Sequence, residues 1–259
     1  MTQDIKVKIS NLTKIFGPKA ESVLKYVDNG MGKDDLLKKH KHVLGLSNIN
    51  LELANKNIEV IMGLSGSGKS TLIRHINRLI EPTAGSIMIG GEDVIQMPME
   101  KLRQFRQQKT AMVFQSFALL PHKTIMDNVC LGIHLQGVKE DEATARAKKW
   151  IDRVGLTGYE DRYPSQLSGG MQQRVGLARA LTCDTEILMM DEAFSALDPL
   201  IRSDMQDLLL ELQEELHKTI IFITHDLDEA LKIGDRIAIL NGGELVQHGT
   251  SQELSLIHI

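Results

Sequence analysis

The 259-residue sequence is poor in cysteine, in aromatic side chains and in long apolar runs. Its two cysteines, Cys130 and Cys183, lie far apart and form no Cys-x-x-Cys pair, which argues against a disulfide framework and against a zinc site. Nowhere do about 18 apolar residues run together, so the sequence predicts no transmembrane helix. Residues 1–6 lack the basic and apolar pattern of a secretory signal. We therefore expect a protein of the reducing cytoplasm that works at a membrane only through partners.

A basic charge balance is also missing. The chain has 30 Lys and Arg against 34 Asp and Glu, a net charge of −4, and no block of basic residues. Binding of nucleic acid by counterion release requires a basic patch, so we predict no nucleic-acid partner. The length suits one large α/β domain or a domain with a subdomain.

Glycine is concentrated in one short segment, MGLSGSGKST, at 62–71. An apolar run, Ile58–Met62, precedes it and a helical pattern of apolar residues follows it, which predicts a turn from a strand to a helix. The pattern Gly-x-x-x-x-Gly-Lys-Ser is that of a phosphate-binding loop, where glycines let consecutive N–H groups surround an anion. The alternative is a flexible turn without a ligand. The residues predicted to contact the nucleotide are Gly63, Ser65, Gly66, Ser67, Gly68, Lys69, Ser70 and Thr71.

Strand and helix patterns alternate along the rest of the chain. We predict strands at Lys6–Ile9, Ile49–Leu53, Ser86–Ile89, Ala111–Phe114, Ile187–Met190, Ile220–Ile223 and Arg236–Leu240, and helices at Glu140–Val154, Met171–Leu181 and Ile201–Leu216. This order is typical of a parallel sheet with helices on its faces. The helical block from Thr124 to Thr182 is large enough to be a subdomain. The segment 17–42 is interpreted as an inserted helical excursion, solvated rather than a binding site.

Two acids, Asp191 and Glu192, follow the apolar strand at 187–190. Ligands of open α/β sheets bind at the carboxyl ends of strands. We expect Asp191 to hold Mg²⁺ through water and Glu192 to orient and polarise the attacking water. The alternative is that both acids only begin a helix, where the helix dipole favours them.

The segment LSGGMQQ, at 167–173, opens a predicted helix with one serine and two glycines. Such a helix start suits a second anion, while the alternative is a helix cap made by Ser168. With the phosphate loop and the paired acids, this segment resembles the signature of ATP-binding-cassette (ABC) ATPases.

The resemblance implies roles for further residues. Gln115 resembles the family's glutamine loop, which reaches Mg²⁺ and the attacking water. Asp198, in the string SALD, resembles the loop at the dimer seam, and His225 the switch histidine that contacts the γ-phosphate. Phe16 lies where the family places a ring that stacks on adenine; a core position is the alternative. The resemblance thus gives Glu192, His225 and Gln115 as catalytic, Ser70, Gln115 and Asp191 as metal ligands, and Phe16, Ser168, Gly169, Gly170 and Asp198 as further nucleotide-binding residues.

The family fold is α/β: a P-loop NTPase cassette whose RecA-like mixed-sheet core carries an antiparallel β subdomain and a helical signature subdomain. The resemblance implies a homodimer in which the Ser168 helix of one subunit covers the ATP bound by Lys69 of the other. Loss of the γ-phosphate then opens the dimer, which makes it a ligand-controlled switch.

Longer strings resemble the ATPase subunit of quaternary-amine importers, which take up glycine betaine, proline betaine, choline or proline. They are NRLIEPTAG at 77–85, FALLPH at 117–122, MDEAFSALDPLIR at 190–202 and THDLDEA at 224–230. The implied cofactors are ATP and Mg²⁺. The implied partners are a transmembrane permease, which the family contacts near 117–123, and indirectly an extracytoplasmic substrate-binding protein. The implied location is the cytoplasmic face of the inner or plasma membrane.

The resemblance places an ATPase domain at 6–252, with the helical subdomain at about 116–183, and a tail at 253–259. Members of this subfamily often continue into a pair of regulatory CBS modules, so either this protein lacks that regulation or the chain is truncated there. A function of another class stays open from the residues: a soluble ABC-type clamp that acts in regulation or on nucleic acid.

Overall fold

The structure is a computed structural model that describes residues 4–255, apart from the side chain of Ser255. The predicted tail at 253–259 therefore lies partly outside the described residues. The chain divides into two compact units. The first holds the described residues up to Pro98 and from Ile223 onward, and the second is Met99–Phe222. No helix in the range 4–255 combines the length and hydropathy that crossing a membrane requires.

The first unit begins with a run of strands and short helices. In chain order its elements are β1 (Ile5–Phe16), α1 (Glu21–Asp28), α2 (Lys33–His40), β2 (Val43–Ala54), β3 (Ile58–Met62), α3 (Lys69–Ile76), β4 (Ala84–Ile89) and β5 (Glu92–Asp93). The second unit contains α4 (Met99–Gln108), β6 (Thr110–Phe114), α5 (Ile125–Leu135), α6 (Glu140–Arg153), a 3-10 turn (Pro164–Gln166), α7 (Gly169–Thr182), β7 (Ile187–Asp191) and α8 (Pro199–Leu216). After β8 (Thr219–Thr224), which contains the division, the first unit resumes with α9 (Leu227–Ile233), β9 (Arg236–Asn241), β10 (Glu244–Gly249) and α10 (Ser251–Ser255).

An antiparallel sheet dominates the first unit, with strand order β2-β1-β4-β5. Over most of their length β1 and β2 bury alternate side chains, as a sheet with one covered face requires. Elsewhere in this unit β3 pairs in parallel with β9, and β9 pairs antiparallel with β10. The predicted strands at 6–9 and 49–53 are confirmed, and both are longer than predicted because β1 and β2 pair from Ile5 to Phe16.

The excursion at 17–42 is helical, as predicted, and forms α1 and α2. One side of it is not solvated: Val23 and Leu36 are buried in a cluster with Ile15 of β1 and Leu44 of β2. Val23 stands beside Leu24 and Leu36 beside Leu37 on short helices, so helical periodicity alone did not reveal which residue of each pair is buried against the strands.

In the second unit, β6 and β7 pair in parallel and α7 packs against β6. The helices α5, α6 and α7 pack on one another and form the helical block predicted from the sequence. All five residues of β7 are buried, which explains its continuous apolar run.

Candidate functional site

The glycine-rich segment forms the turn between β3, which ends at Met62, and α3, which begins at Lys69. A Cβ atom on Gly63 would lie 2.2 Å from the carbonyl oxygen of Leu240, so no side chain fits there. Gly68, the residue before α3, has a φ of 104°, in the region that glycine tolerates best. The loop is therefore built closely against the neighbouring backbone, and its glycines have a steric reason.

The side chain of Lys69 lies within the loop and is only 4% exposed. Its Nζ donates hydrogen bonds to the carbonyl oxygens of Gly63 (2.8 Å) and Leu64 (3.1 Å). The hydroxyl oxygen of Ser67 is buried and has no hydrogen-bond partner among the described residues. A lysine ammonium, a buried orphan hydroxyl and the N-terminus of α3 suit a polyphosphate, which supplies acceptors for all three. The residues present therefore fit the nucleotide.

The rest of the predicted loop is less enclosed. Ser65 and Gly66 are exposed, and Ser70 and Thr71 are partly buried in the first turn of α3. A Cβ atom on Gly66 would meet nothing within 4 Å, so space remains on this side of the loop.

Phe16 ends β1 and is 40% exposed, which contradicts a core position. A Cβ atom on Gly45 of β2 would lie 2.6 Å from Cε2 of Phe16, and the Gly45 carbonyl oxygen lies 2.8 Å from where a Cβ of Gly68 would be. Gly45, which has no side chain, therefore lies between the ring of Phe16 and the phosphate loop. Placement beside the loop is what a ring that stacks on adenine requires. Sequence reasoning missed Gly45, because one glycine inside a strand carries no nucleotide signal.

Lys33, the first residue of α2, reaches the phosphate loop. Its Nζ lies 3.4 Å from the carbonyl oxygen of Gly66. The inserted excursion therefore contacts the predicted nucleotide loop, a contact that sequence reasoning did not anticipate. No local signal distinguishes this lysine from the other lysines of the excursion.

In the second unit, the predicted glutamine and acid are neighbours. Nε2 of Gln115 lies 3.4 Å from Oε2 of Glu192 and 3.4 Å from Oγ of Ser195. Asp191, at the end of β7, is 4% exposed, and Glu192 has a φ of 48°. A left-handed glutamate is uncommon, and such strain concentrates at functional sites. The arrangement brings a carboxylate and an amide to one place, as activation of a water molecule requires.

Ser168 is the N-cap of α7, where its Oγ accepts a hydrogen bond from the N–H of Met171 (3.3 Å). The cap interpretation of this serine is therefore confirmed, while anion binding across a dimer stays a prediction. Gly170 has a steric reason to be glycine, whereas a side chain at Gly169 would make only an ordinary van der Waals contact. A Cβ on Gly170 would lie 2.8 Å from Cγ2 of Ile201, and one on Gly169 would lie 3.7 Å from Cζ of Phe117.

Asp198 and His225 both lie at helix starts. Asp198 caps α8 by accepting a hydrogen bond from the N–H of Ile201 (3.2 Å). His225 is exposed after β8, and the next residue, Asp226, caps α9. An exposed histidine held between a strand and a capped helix suits a group that contacts a ligand.

The predicted metal ligands are split between the two units: Ser70 belongs to the first, and Gln115 and Asp191 to the second. Within residues 4–255, no group of three or more His, Cys, Asp or Glu side chains could hold a metal ion. Mg²⁺ in nucleotide enzymes needs only one or two carboxylates, because substrate phosphates and waters supply the other oxygens. The donor types at these positions therefore fit Mg²⁺.

Comparison with known proteins identifies the family. A family model described as ABC transporter matches residues 46–195. OpuAA of Bacillus subtilis, a glycine betaine transport ATP-binding protein, is 55% identical over 96% of this chain and 60% of its own length. ProV of Escherichia coli, the ATP-binding protein of a glycine betaine/proline betaine transport system, is 52% identical over 96% of this chain and 62% of its own. The solved dimeric, post-hydrolysis structure of the ATP-binding cassette MJ0796 with ADP and Pi matches with a TM-score of 0.80 at 32% identity, covering 94% of this chain and 98% of that one.

The chain belongs to the ABC transporter family. The predicted fold class is confirmed, and the soluble-clamp alternative is not favoured, because these relatives are named as parts of transport systems. The chain spans about three fifths of the length of the two curated relatives it matches here.

Proposed function

We propose that this chain is the ATP-hydrolysing subunit that drives a membrane importer of quaternary-amine osmoprotectants such as glycine betaine, proline betaine, choline or proline. The observation that carries the proposal is 52–55% identity to glycine betaine transport ATPases over 96% of the chain. The loop around Lys69 and the Gln115–Glu192 pair supply the chemistry that this activity needs.

The chain's own groups divide the work of hydrolysis. We assign binding of the β- and γ-phosphates to Lys69 and the loop N–H groups, and stacking on adenine to Phe16. Glu192 accepts a proton from the attacking water, and Gln115 orients that water. Ser70, Asp191 and Gln115 would hold Mg²⁺, Asp191 through water, and the bound ion would neutralise phosphate charge. His225 contacts the γ-phosphate.

The second unit also carries a surface suited to the permease. An apolar groove of about 370 Å³ is lined by side chains that include Phe114, Ala118, Leu131 and Leu135. Leu135 is 62% exposed, and Ala118 belongs to the segment at 117–123 that we expect to contact a permease. Exposed apolar residues around a concave surface favour protein binding. We assign this groove to a helix of the permease.

The first test is hydrolysis by the purified protein. Replacing Glu192→Gln should lower kcat for Mg-ATP by about 100-fold or more, because the amide cannot accept the proton, while ATP still binds. Lys69→Ala should weaken ATP binding itself. The matched control is Glu215→Gln, which removes a surface carboxylate paired with Arg153 and should leave kcat unchanged. Full turnover in Glu192→Gln would contradict the assigned base.

The second test concerns the substrate. The protein is reconstituted in proteoliposomes with a candidate permease and its substrate-binding protein, and uptake of radiolabelled glycine betaine is measured with and without ATP on the side of the ATPase subunit. ATP-dependent uptake that Glu192→Gln abolishes supports the proposal. ATP hydrolysis that never drives uptake of betaine, choline or proline would refute the substrate class.

A further inference from the structure

Two consecutive residues just after Gln115 have left-handed backbones. Phe117 has a φ of 59° and Ala118 a φ of 49°, and neither is a glycine. For residues with a Cβ this region is unfavourable, so a run of two persists only when surrounding contacts hold it. The segment therefore needs contacts from elsewhere in the fold that hold this conformation.

Arg179 of α7 supplies these contacts. Its guanidinium donates one hydrogen bond to the carbonyl oxygen of Phe117 (3.0 Å) and another to that of Ala118 (2.7 Å). The planar fork of arginine binds two adjacent acceptors at once, which a lysine ammonium cannot do with the same geometry. No acidic side chain contacts this guanidinium within the described residues, and burial lowers the pKa of Arg179. The two carbonyl groups are thus the partners of a partly buried cation.

Phe117, one of the two residues held by Arg179, closes the turn that contains Gln115. The N–H of Phe117 donates to the carbonyl oxygen of Phe114 (3.2 Å), so Gln115 and Ser116 are the central residues of a β-turn. Phe117 also lies against α7, because a Cβ on Gly169 would be 3.7 Å from its Cζ. The direction of the Gln115 side chain is therefore set two residues away, by contacts with the helix that Ser168 begins.

We propose that Arg179 is a positioning residue for Gln115: by holding two left-handed residues, it keeps the amide of Gln115 against the carboxylate of Glu192. This inference rests on the proposed ATPase function. It assigns Arg179 no contact with the nucleotide or the reacting water. Its consequence is that the end of α7 opposite the signature serine controls the geometry of the Gln115 turn.

The experiment compares Arg179→Lys with Arg174→Lys in the purified full chain. Arg174 is the matched control, because it lies on the same helix and donates to a single carbonyl oxygen, that of Val154 (3.0 Å), away from Gln115. Arg179→Lys should lower kcat about tenfold or more while KM for Mg-ATP changes by less than about twofold. Amide hydrogen exchange at 114–120 should become faster. Arg174→Lys should change neither quantity, even if it lowers Tm.

A rescue variant separates positioning from general destabilisation. Ala118→Gly removes the Cβ at a φ of 49°, so the segment needs less holding, and Arg179→Lys combined with Ala118→Gly should regain most of the lost kcat. Ala118→Gly alone should raise Tm or leave it unchanged. Equal losses in Arg179→Lys and Arg174→Lys, unchanged exchange at 114–120 in Arg179→Lys, or absence of rescue would each overturn the inference. If the unmodified protein hydrolyses no ATP, the proposed function fails, and the exchange measurement still decides whether Arg179 holds this segment.

Discussion

The buried side chain of His75 is expected to influence how the stability of this protein depends on pH. It lies on α3, four residues after Thr71 of the phosphate loop, and is fully buried. Its Nδ1 lies 2.6 Å from the carbonyl oxygen of Thr71, which only accepts, so the ring proton is on Nδ1. Its Nε2 has no hydrogen-bond partner among the described residues. Burial lowers the pKa of His75 below its ordinary value of 6.5, against the hydrogen bond to Thr71.

This lowered pKa predicts acid sensitivity. The folded protein keeps His75 neutral at pH values where the unfolded chain is already protonated, so unfolding takes up a proton. The free energy of unfolding should therefore fall as the pH drops below about 6.5. His75→Gln, which does not titrate, should show a flatter dependence in urea unfolding between pH 5 and pH 8.

The control for this prediction is the exposed His122. His122→Gln should keep the pH dependence of the unmodified protein. If His75→Gln and the unmodified protein lose stability in parallel as the pH falls, the buried imidazole is not the acid-sensitive group.

At the scale of elements, N-cap side chains stabilise the starts of helices, and some of them are also predicted site residues. Thr124, Ser168, Asp198 and Asp226 each accept a hydrogen bond from the backbone N–H three residues later. Each such cap is worth about 1 kcal/mol. Two of them, Ser168 and Asp198, are also predicted to act at a dimer seam. One side chain can therefore serve both folding and binding, and a mutation must separate the two.

The α1–α2 excursion gives the prediction at this scale. Leu36 is fully buried, whereas its neighbour Leu37 is 47% exposed on the same helix. Leu36→Ala should lower the free energy of unfolding by about 2–5 kcal/mol, because it leaves a cavity beneath α2. Leu37→Ala should change it by less than about 0.5 kcal/mol.

Urea unfolding of the two variants provides the measurement. Equal and small effects would mean that the excursion unfolds independently of the rest of its unit. A large loss in Leu36→Ala alone would support an excursion that is anchored to β1 and β2 and that holds Lys33 near Gly66.

At the scale of the whole molecule, the remaining prediction concerns association. The proposed dimer requires the start of α7 to face a phosphate of another copy. Ser168→Asp should preserve the cap, because aspartate is a favourable N-cap, but should repel that phosphate. In the Glu192→Gln background with Mg-ATP, the protein should sediment as a dimer, and adding Ser168→Asp should return it to a monomer.

Ser168→Asn is the matched control, since asparagine caps a helix without adding charge. It should preserve more of the dimer than Ser168→Asp in analytical ultracentrifugation. ATP-dependent dimers of undiminished strength in Ser168→Asp would show that Ser168 is a cap and nothing more.

Much of the fold and of the candidate site could be predicted from the sequence. The phosphate loop between a strand and a helix, the apolar strand before Asp191 and the helix after Ser168 all appear where expected, because each depends on local spacing. Strand lengths were underestimated for β1 and β2, since pairing partners extended them beyond their alternating cores. The burial of one side of the excursion was missed for a related reason: which residue of each apolar pair is buried depends on the strands that the two helices cover.

The sequence by itself indicated the family, because the phosphate loop, the paired acids and the segment around Ser168 are recognisable from local spacing. Only the tertiary structure decided which distant residues support the turns of the site: Arg179 reaches Ala118 across 61 positions, and Lys33 reaches Gly66 across 33. Periodicity and motif spacing describe neighbours along the chain. A contact between side chain and backbone across the fold depends on where separate elements pack, and packing is specified by the whole set of buried surfaces rather than by any one segment.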